Sequence, residues 1–433
     1  MSERCNVLVI GGGPAGIAAA CRAAEMGRKT VIVDDNPDLG GQIWRKSVEG
    51  APKGALAWYR RLALSGACVM PGARIVFQPT PGTLVAETAD GIMTLEYGKL
   101  ILATGARELF LPFPGWTLPN VMGAGGLQAM VKGGLPVAGK RIVVAGSGPL
   151  LLAVAAYLQE HGAVIAAICE QASTSALARF AASLTSDPGK LKQGLQYRIQ
   201  LKSAPYRIGW WPAEAVGSAK LEKVVITNGS ERRDVACDFL ACGFHLVPNV
   251  ELAQLVGCEL TDGCVQVNDA QETTVQGVFC AGEPTGVGGL DLALVEGEIA
   301  GLMAAGNPNE ALGLFARREK CRRIARAMDE AFAPRPELRK LATPETLLCR
   351  CEDVRLGAVE KHTSWRSAKL HTRCGMGPCQ GRICGAAAEY LFGWKTGGVR
   401  PPAHAASIAA LTAGAITDDR LRPPNPHPGG ADQ

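Results

Sequence analysis

The sequence predicts an α/β protein built from two copies of one βαβ unit, followed by a small cysteine-rich helical segment. Three observations carry this. An apolar run, "NVLVI" (6–10), leads into "GGGPAG", a helix, and a second apolar run, "TVIVDD" (30–35). The same plan returns in "KRIVVAGSGPLLLAVAAYLQEHGAVIAAICEQ" (140–171). Finally, five of the fifteen cysteines crowd into "LLCRCEDV" (347–354) and "TRCGMGPCQGRICG" (372–385).

In the first unit, Gly11, Gly13 and Gly16 fit G-x-G-x-x-G, with Pro14 and Ala15 opening the helix. The first glycine makes a tight turn, the second lets backbone approach a pyrophosphate, and the third lets helix and strand pack closely. The helix N-terminus turns free N–H groups toward phosphate. Asp35 follows 24 residues after Gly11, the distance expected of a ribose-binding acid. Next, "DLGGQIW" places Gly40, Gly41 and Gln42 in a loop fit to pass close to a ligand. A helical stretch over 53–65 and a strand-rich part lead to "KLILA", ending in Thr104 and Gly105.

The second unit carries Gly146 and Gly148, but Leu151 stands where the third glycine belongs. Glu170 lies 24 residues after Gly146, as Asp35 does after Gly11. The branched side chain of Leu151 pushes helix from strand, and no Arg follows Glu170, which disfavours NADP. The segment "DFLACG" (238–243) echoes "KLILATG". Then "TVQGVFCAGEPTGVGG" gives a strand ending in Gly282 and Glu283, feeding a long helix. The run "ARREKCRRIARAMDE" (316–330) reads as a helix with a solvated charged face.

Composition narrows the classes. With 433 residues, two or three domains with full cores can form. Charged residues make up 20% and aromatics 5%, and the 53 glycines suit tight βα turns. A net charge of +5 without a basic block interleaved with aromatics speaks against nucleic acid. The N-terminal "MSERCNVLVIGGG" has no signal-peptide pattern, and no run of about 18 apolar residues occurs, so a cytoplasmic chain with reduced thiols is expected. Ten scattered cysteines then read as small buried hydrophobes. The six histidines form no triad or ligand pair in sequence, and no catalytic residue is assigned.

The C-terminal cysteines need another account. Cys349 and Cys351 form C-x-C, and Cys379 and Cys384 form C-x4-C. Thiolates in fours suit an iron–sulfur cluster or zinc. C-x-C is unusual for structural zinc, and the glycines at 375, 377, 381 and 385 let backbone N–H groups approach cluster sulfurs.

Together, "IGGGPAGIAAA", "DLGGQI", "LILATGA", "GSGPLLLA" and "GVFCAGEPTGVGG" resemble the two-dinucleotide-binding-domain flavoproteins, in which one Rossmann-like domain is inserted in another. With "CRCEDV" and "GMGPCQGRICG", the chain looks like the larger subunit of heteromeric amino-acid and opine dehydrogenases. D-hydroxyproline dehydrogenase, opine oxidase and hydrogen cyanide synthase belong to that group. The resemblance implies FAD at Gly11, Gly13, Pro14, Ala15, Gly16, Asp35, Gly40, Gly41, Gln42, Thr104, Gly105, Gly282 and Glu283. Relatives in the wider superfamily carry Asp where Glu283 stands. It allows NAD or ATP at Gly146, Gly148 and Glu170. The cysteine segment resembles a bacterioferritin-associated-ferredoxin-like [2Fe-2S] domain, implying Cys349, Cys351, Cys379 and Cys384 as ligands and Cys374 as a spare thiol, with Cys374 in place of Cys379, as C-x9-C with Cys384, the alternative. Unlike thioredoxin-reductase relatives, the chain has no paired cysteines beside "GGQIW", so electrons leaving FAD need another outlet.

The implied division is an FAD-binding domain over 1–112 and 246–310, a second nucleotide-binding domain over 113–245, a linker helix over 311–344, a [2Fe-2S] domain over 345–395, and a tail over 396–433. The implied function is an electron-transfer flavoprotein subunit of an amino-acid dehydrogenase of the D-hydroxyproline or opine type. Its partner is a D-amino-acid-oxidase-like flavoprotein subunit in a hetero-oligomer. Compatible additions are a membrane-associated electron acceptor and a small ferredoxin-like subunit. A stand-alone NADH-dependent oxidoreductase and a nucleotide-binding scaffold are the alternatives. Neither the substrate nor the final acceptor is legible.

Overall fold

The computed structural model describes residues 2–45 and 53–415. The last dozen residues, expected to be a disordered or chain-packed tail, lie outside the described residues.

The first apolar run forms β1 (Ser2–Ile10), which lies parallel between β2 (Thr30–Val33) and β6 (Gly91–Leu102). Such a strand is buried on both faces, which explains its unbroken apolar sequence. The sheet order is β3 (Cys68–Met70), β2, β1, β6, β5 (Thr83–Thr88), β4 (Arg74–Thr80). The strand Val278–Cys280 joins β6 from far along the chain, in parallel register at Leu100, Ile101 and Leu102.

Helix α1 (Pro14–Glu25) follows β1, and α2 (Lys53–Ser65) precedes β3. Strand β7 (Ala106–Leu109) then leads to a second sheet. It has the order β11 (Tyr206–Ile208), β10 (Val164–Glu170), β9 (Arg141–Gly146), β15 (Phe239–Gly243), β8 (Val121–Gly123), every neighbouring pair parallel. Helices α3 (Ala124–Lys132), α4 (Leu150–Glu160), α5 (Thr174–Ser183) and α6 (Pro188–Gln200) accompany it. Strands β12 (Trp211–Val216), β13 (Lys223–Thr227) and β14 (Arg232–Ala236) form an antiparallel meander. Strand β16 (His245–Pro248) returns antiparallel to β7, so the two crossings between the sheets are hydrogen-bonded to each other. The second sheet is thus drawn entirely from residues lying between β6 and Val278–Cys280.

After α7 (Glu251–Leu255), the buried helix α8 (Leu290–Ala305) packs on α1. The contact is close because it is made of small residues. A Cβ on Gly297 would lie 2.2 Å from the Ala15 carbonyl oxygen, and one on Gly301 would lie 2.3 Å from that of Ala19. Past α9 (Pro308–Leu312), the basic run forms α10 (Phe315–Phe332). Its expected solvated face needs correction. Arg318 is 1% exposed and donates to the Asp269 carbonyl at 2.5 Å and to Asp269 Oδ1 at 2.9 Å. Arg322 reaches the buried Glu296 of α8 at 3.4 Å. Two arginines of the run therefore dock the helix, Arg318 through both terminal guanidinium nitrogens, since a buried cation needs oxygens to receive its donors.

The cysteine segment folds as a hairpin, Leu347–Cys349 with Val354–Arg355, and three short helices: α11 (Leu356–Val359), α12 (Trp365–Thr372) and α13 (Cys384–Phe392). It has its own core, centred on Leu348, Val359, Trp365, Ala387 and Ala388. No helix among the described residues is long and apolar enough to cross a membrane.

Candidate functional site

The first glycine-rich loop is as tight as its sequence demands. Gly11 has φ +105°, and a Cβ there would lie 2.2 Å from the Ala103 carbonyl oxygen. A Cβ on Gly16 would lie 1.8 Å from the Gly11 carbonyl oxygen, so no other residue fits at this crossing. Gly13 caps α1, with Pro14 in the first turn.

The other segments expected at this loop converge on it. Gly40 N donates to the Gly12 carbonyl at 2.7 Å, which seats Gly40 and Gly41 directly over the loop. The Gln42 carbonyl accepts from Lys132 of α3 at 3.2 Å. Thr104 adjoins Ala103, and its hydroxyl donates to the Asn249 carbonyl at 2.6 Å. Asn249 N in turn donates to the Gly105 carbonyl at 3.0 Å. Gly282 faces Ala15, and its N–H donates to the buried Glu296 Oε2 at 3.1 Å.

Glu283 accepts from Gly289 N at 3.0 Å, while its Oε2 is buried with no hydrogen-bond partner. Burial pushes this carboxyl up to about 7. A buried, unsatisfied acceptor is costly, and a ligand hydroxyl would satisfy it. FAD carries such hydroxyls, so the residues fit the group.

Spacing missed one acid. Strand register sets Ile10 opposite Val33, which puts Asp34 beside the loop. Asp34 is 7% exposed and accepts from Gly12 N at 2.6 Å and from Asn36 N at 2.8 Å. Asp35 is exposed, and its carboxylate accepts from Asn36 Nδ2 at 2.9 Å. In the second unit, Gly146 stands opposite Glu170 itself. The equal 24-residue spacings mislead because β10 carries an irregularity between Ile165 and Ala167 that adds a residue.

The second loop is differently furnished. Gly148 N and Ala172 N both donate to Glu170, each at 2.8 Å, and Glu170 is 1% exposed. Burial lifts its carboxyl to about 7. Ser147 Oγ donates to the Phe332 carbonyl at 2.7 Å. Gln171 Nε2 donates to the Ala333 carbonyl at 3.1 Å, and Arg335 N donates to Gln171 Oε1 at 3.1 Å. The end of α10 is thus fastened onto this loop. Leu151 is buried in the core beneath, and α4 begins at Leu150, past the proline that opens α1 in the first unit. Glu108 of β7, another acid that motif reading missed, accepts from Gly125 N at 2.8 Å and Gly126 N at 3.1 Å. It closes the α3 N-terminus at the carboxyl ends of β8 and β15, where doubly wound sheets take ligands. In this arrangement Glu170, Ser147 and Gln171 are all hydrogen-bonded within the chain.

The five C-terminal thiols form two groups. Cys349, Cys374 and Cys384 are buried, with their Sγ atoms within 4.8 Å of one another. Hydrogen bonds from Cys374 and Cys384 hold the Cys349 thiol down at about 2, while the proton sharing pushes Cys374 up to about 12 and Cys384 further. Exposed Cys351 and half-buried Cys379 are near neighbours outside this group. The glycines do more than expose N–H groups. Gly375 and Gly381 have φ near +80°, and a Cβ on either would press on the Trp365 ring, at 2.6 and 3.1 Å. A Cβ on Gly377 would lie 2.3 Å from Cys351 Cβ. Five thiols, three of them buried side by side, are a donor set that suits iron–sulfur chemistry.

Arg382 connects the two sites. Its side chain lies 3.7 Å from Glu251, and its carbonyl accepts from Arg107 Nε at 3.0 Å. Arg107 also pairs with Glu251 at 2.9 Å and donates to Asn249 Oδ1 at 2.8 Å. Asn249 is the residue hydrogen-bonded to Thr104 and Gly105.

A family model described as pyridine nucleotide-disulphide oxidoreductase matches residues 5–299. The chain belongs to the pyridine nucleotide-disulphide oxidoreductase family. As a pyridine nucleotide-disulphide oxidoreductase family member it is an FAD-dependent oxidoreductase. It is 32% identical over 419 residues to hydrogen cyanide synthase subunit HcnB of Pseudomonas aeruginosa, covering 87% of this chain and 90% of that one. It is 31% identical over 451 residues to a subunit of opine oxidase from Rhizobium meliloti, covering 94% and 98%. In fold it is similar to L-proline dehydrogenase from P. horikoshii, with a TM-score of 0.68 at 18% identity over 95% of this chain and 80% of that one. Thioredoxin reductase from T. acidophilum superposes with a TM-score of 0.52 at 21% identity, over 70% of this chain and 98% of that one. All fifteen cysteines here are free thiols, and none pairs beside the Gly40–Gly41 loop.

Proposed function

We propose that this chain is the FAD- and iron–sulfur-carrying subunit of a heteromeric dehydrogenase acting on the C–N bond of an amino acid or opine. One observation carries the reading. The segment that gathers the five thiols is anchored through Arg382, Arg107 and Asn249 onto the Thr104–Gly105 edge of the first glycine-rich site. A cysteine centre tied to the flavin loop suits electron passage between them. The named relatives are subunits of hydrogen cyanide synthase and opine oxidase, which supports assembly in a hetero-oligomer; the partner in this reading is a second flavoprotein of the D-amino-acid-oxidase type.

FAD, when bound, supplies exchange of electrons in pairs or singly, and a [2Fe-2S] centre supplies single-electron exchange. The chain's own residues hold and orient. Gly11, Gly13 and Gly16 keep the loop open to a pyrophosphate, and Asp34 fixes its N–H from inside. Asp35 offers a carboxylate to the ribose, and Glu283 offers its unpartnered oxygen to a hydroxyl of the flavin chain. Cys349, Cys351, Cys379 and Cys384 supply four thiolates in two neighbouring pairs. We assign residues 1–112 and 246–310 to the FAD domain, 113–245 to the second nucleotide-type domain, and 345–395 to the cysteine domain.

The second glycine-rich loop we assign a structural part. With Glu170, Ser147 and Gln171 already engaged, NADH would have to displace these contacts to bind, which weighs against a stand-alone reductase. The chain has no bidentate arginine motif for a substrate carboxylate. The purified chain should carry FAD and iron yet reduce no dye with any amino acid until the second flavoprotein subunit is added. Amino-acid-dependent dye reduction by the chain alone, at the rate of the whole complex, would overturn the reading.

A further inference from the structure

We infer that Cys374 is an interchangeable ligand position, able to take the place of Cys384 in the cysteine centre. The inference rests on the iron–sulfur reading above. A binuclear centre held by cysteine takes four thiolates, and this domain gathers five. The surplus lies in the buried group, because three thiols meet there while Cys351 and Cys379 lie outside it. Within the buried group Cys349 is the fixed member. It ends the hairpin strand Leu347–Cys349, with its Sγ within 4.8 Å of both other thiols. Cys374 and Cys384 flank it on equal terms, at 0% and 1% exposure, with all three Sγ atoms within 4.8 Å.

The fold holds Cys374 inward rather than letting it swing aside. Arg373 before it has φ +66° and Gly375 after it has φ +80°. Cys374 N donates to Thr372 Oγ1 at 3.2 Å, and Trp365 presses on Gly375 from behind. A left-handed non-glycine residue is costly and persists only where its surroundings impose it. Here it fixes the inward thiol. Exchange needs no oxidant. Cys374 would pass its proton to the neighbouring Cys384 thiolate as that ligand leaves, and would hold the iron in its place.

The test uses the full chain with Cys349→Ser, Cys374→Ser, Cys384→Ser, Cys384→Ala and the Cys374→Ser/Cys384→Ser double variant. Iron, acid-labile sulfide, visible circular dichroism and the electron paramagnetic resonance of the reduced protein are read, with FAD content as the control for folding. Cys374→Ser and both single Cys384 variants should keep most of their iron, the Cys384 variants with a shifted resonance. Cys349→Ser and the double variant should lose it while keeping FAD. Cys384→Ser and Cys384→Ala as empty of iron as the double variant, with FAD retained, would overturn the proposal alone. A wild-type chain carrying zinc and no iron would remove the iron–sulfur reading and the proposal with it.

Discussion

Ser147 Oγ donates a 2.7 Å hydrogen bond to the backbone carbonyl of Phe332. The bond joins the second glycine-rich loop to the end of a helix that begins on the other sheet's side, against α8. The loop residues that should greet a nucleotide are turned to hold the chain's own backbone.

NADH should therefore bind weakly. A dinucleotide at this loop would displace the Ser147–Phe332, Gln171–Ala333 and Arg335–Gln171 contacts. At about 1 kcal/mol each, that weakens binding by about two orders of magnitude. Anaerobic mixing with micromolar NADH should leave the flavin of the isolated chain oxidised. Rapid bleaching would make the stand-alone reductase the better account.

Gly16→Ala should purify without flavin. Its Cβ would lie 1.8 Å from the Gly11 carbonyl oxygen, between two backbones that have no flexible end to yield. Overpacking of this kind costs about 3 kcal/mol and moves the loop itself. Absorbance near the flavin bands checks it. A variant with full flavin and unchanged unfolding midpoint would contradict the packing.

Stability should fall with rising pH because of Glu170. Burial raises its carboxyl from the usual 4.5 to about 7, so the folded chain binds the proton more tightly than the unfolded chain. The contribution is complete below pH 4.5 and is lost as pH rises through about 7. Its size is on the order of 3 kcal/mol. Glu170→Gln, which never ionises, should lose less stability between pH 5 and pH 8 than the parent in urea unfolding. Parallel pH profiles would show that Glu170 titrates normally.

Two arginines of α10 should behave oppositely. Arg318 is 1% exposed and reaches the buried Gln271 at 3.4 Å, so Arg318→Ala leaves a cavity beside Gln271 and should cost about 3 kcal/mol. Arg323 is exposed, and Arg323→Ala should stay within about 0.5 kcal/mol. Equal midpoints for the two variants would mean that the helix is held by its apolar face alone.

The sequence by itself determined the two βαβ units, the flavin-type glycine loop and the cysteine segment. Those signals are local, since an apolar strand, a glycine turn and a helix fall within about 30 neighbouring residues. It also placed Gly40, Gly41, Thr104, Gly105, Gly282 and Glu283 around that loop, on the strength of motifs. Only the tertiary structure decided that Asp34 lies against the loop, because the register of β1 on β2 sets Ile10 opposite Val33. It alone turned Arg318 inward, since a charged helix face reads as solvated until the carbonyl that meets it is known. It set Phe332 on Ser147 across 185 residues, and it grouped Cys374 with Cys349 and Cys384 rather than leaving it apart. Each of these depends on which distant backbone a residue meets, and spacing along the chain carries no record of that.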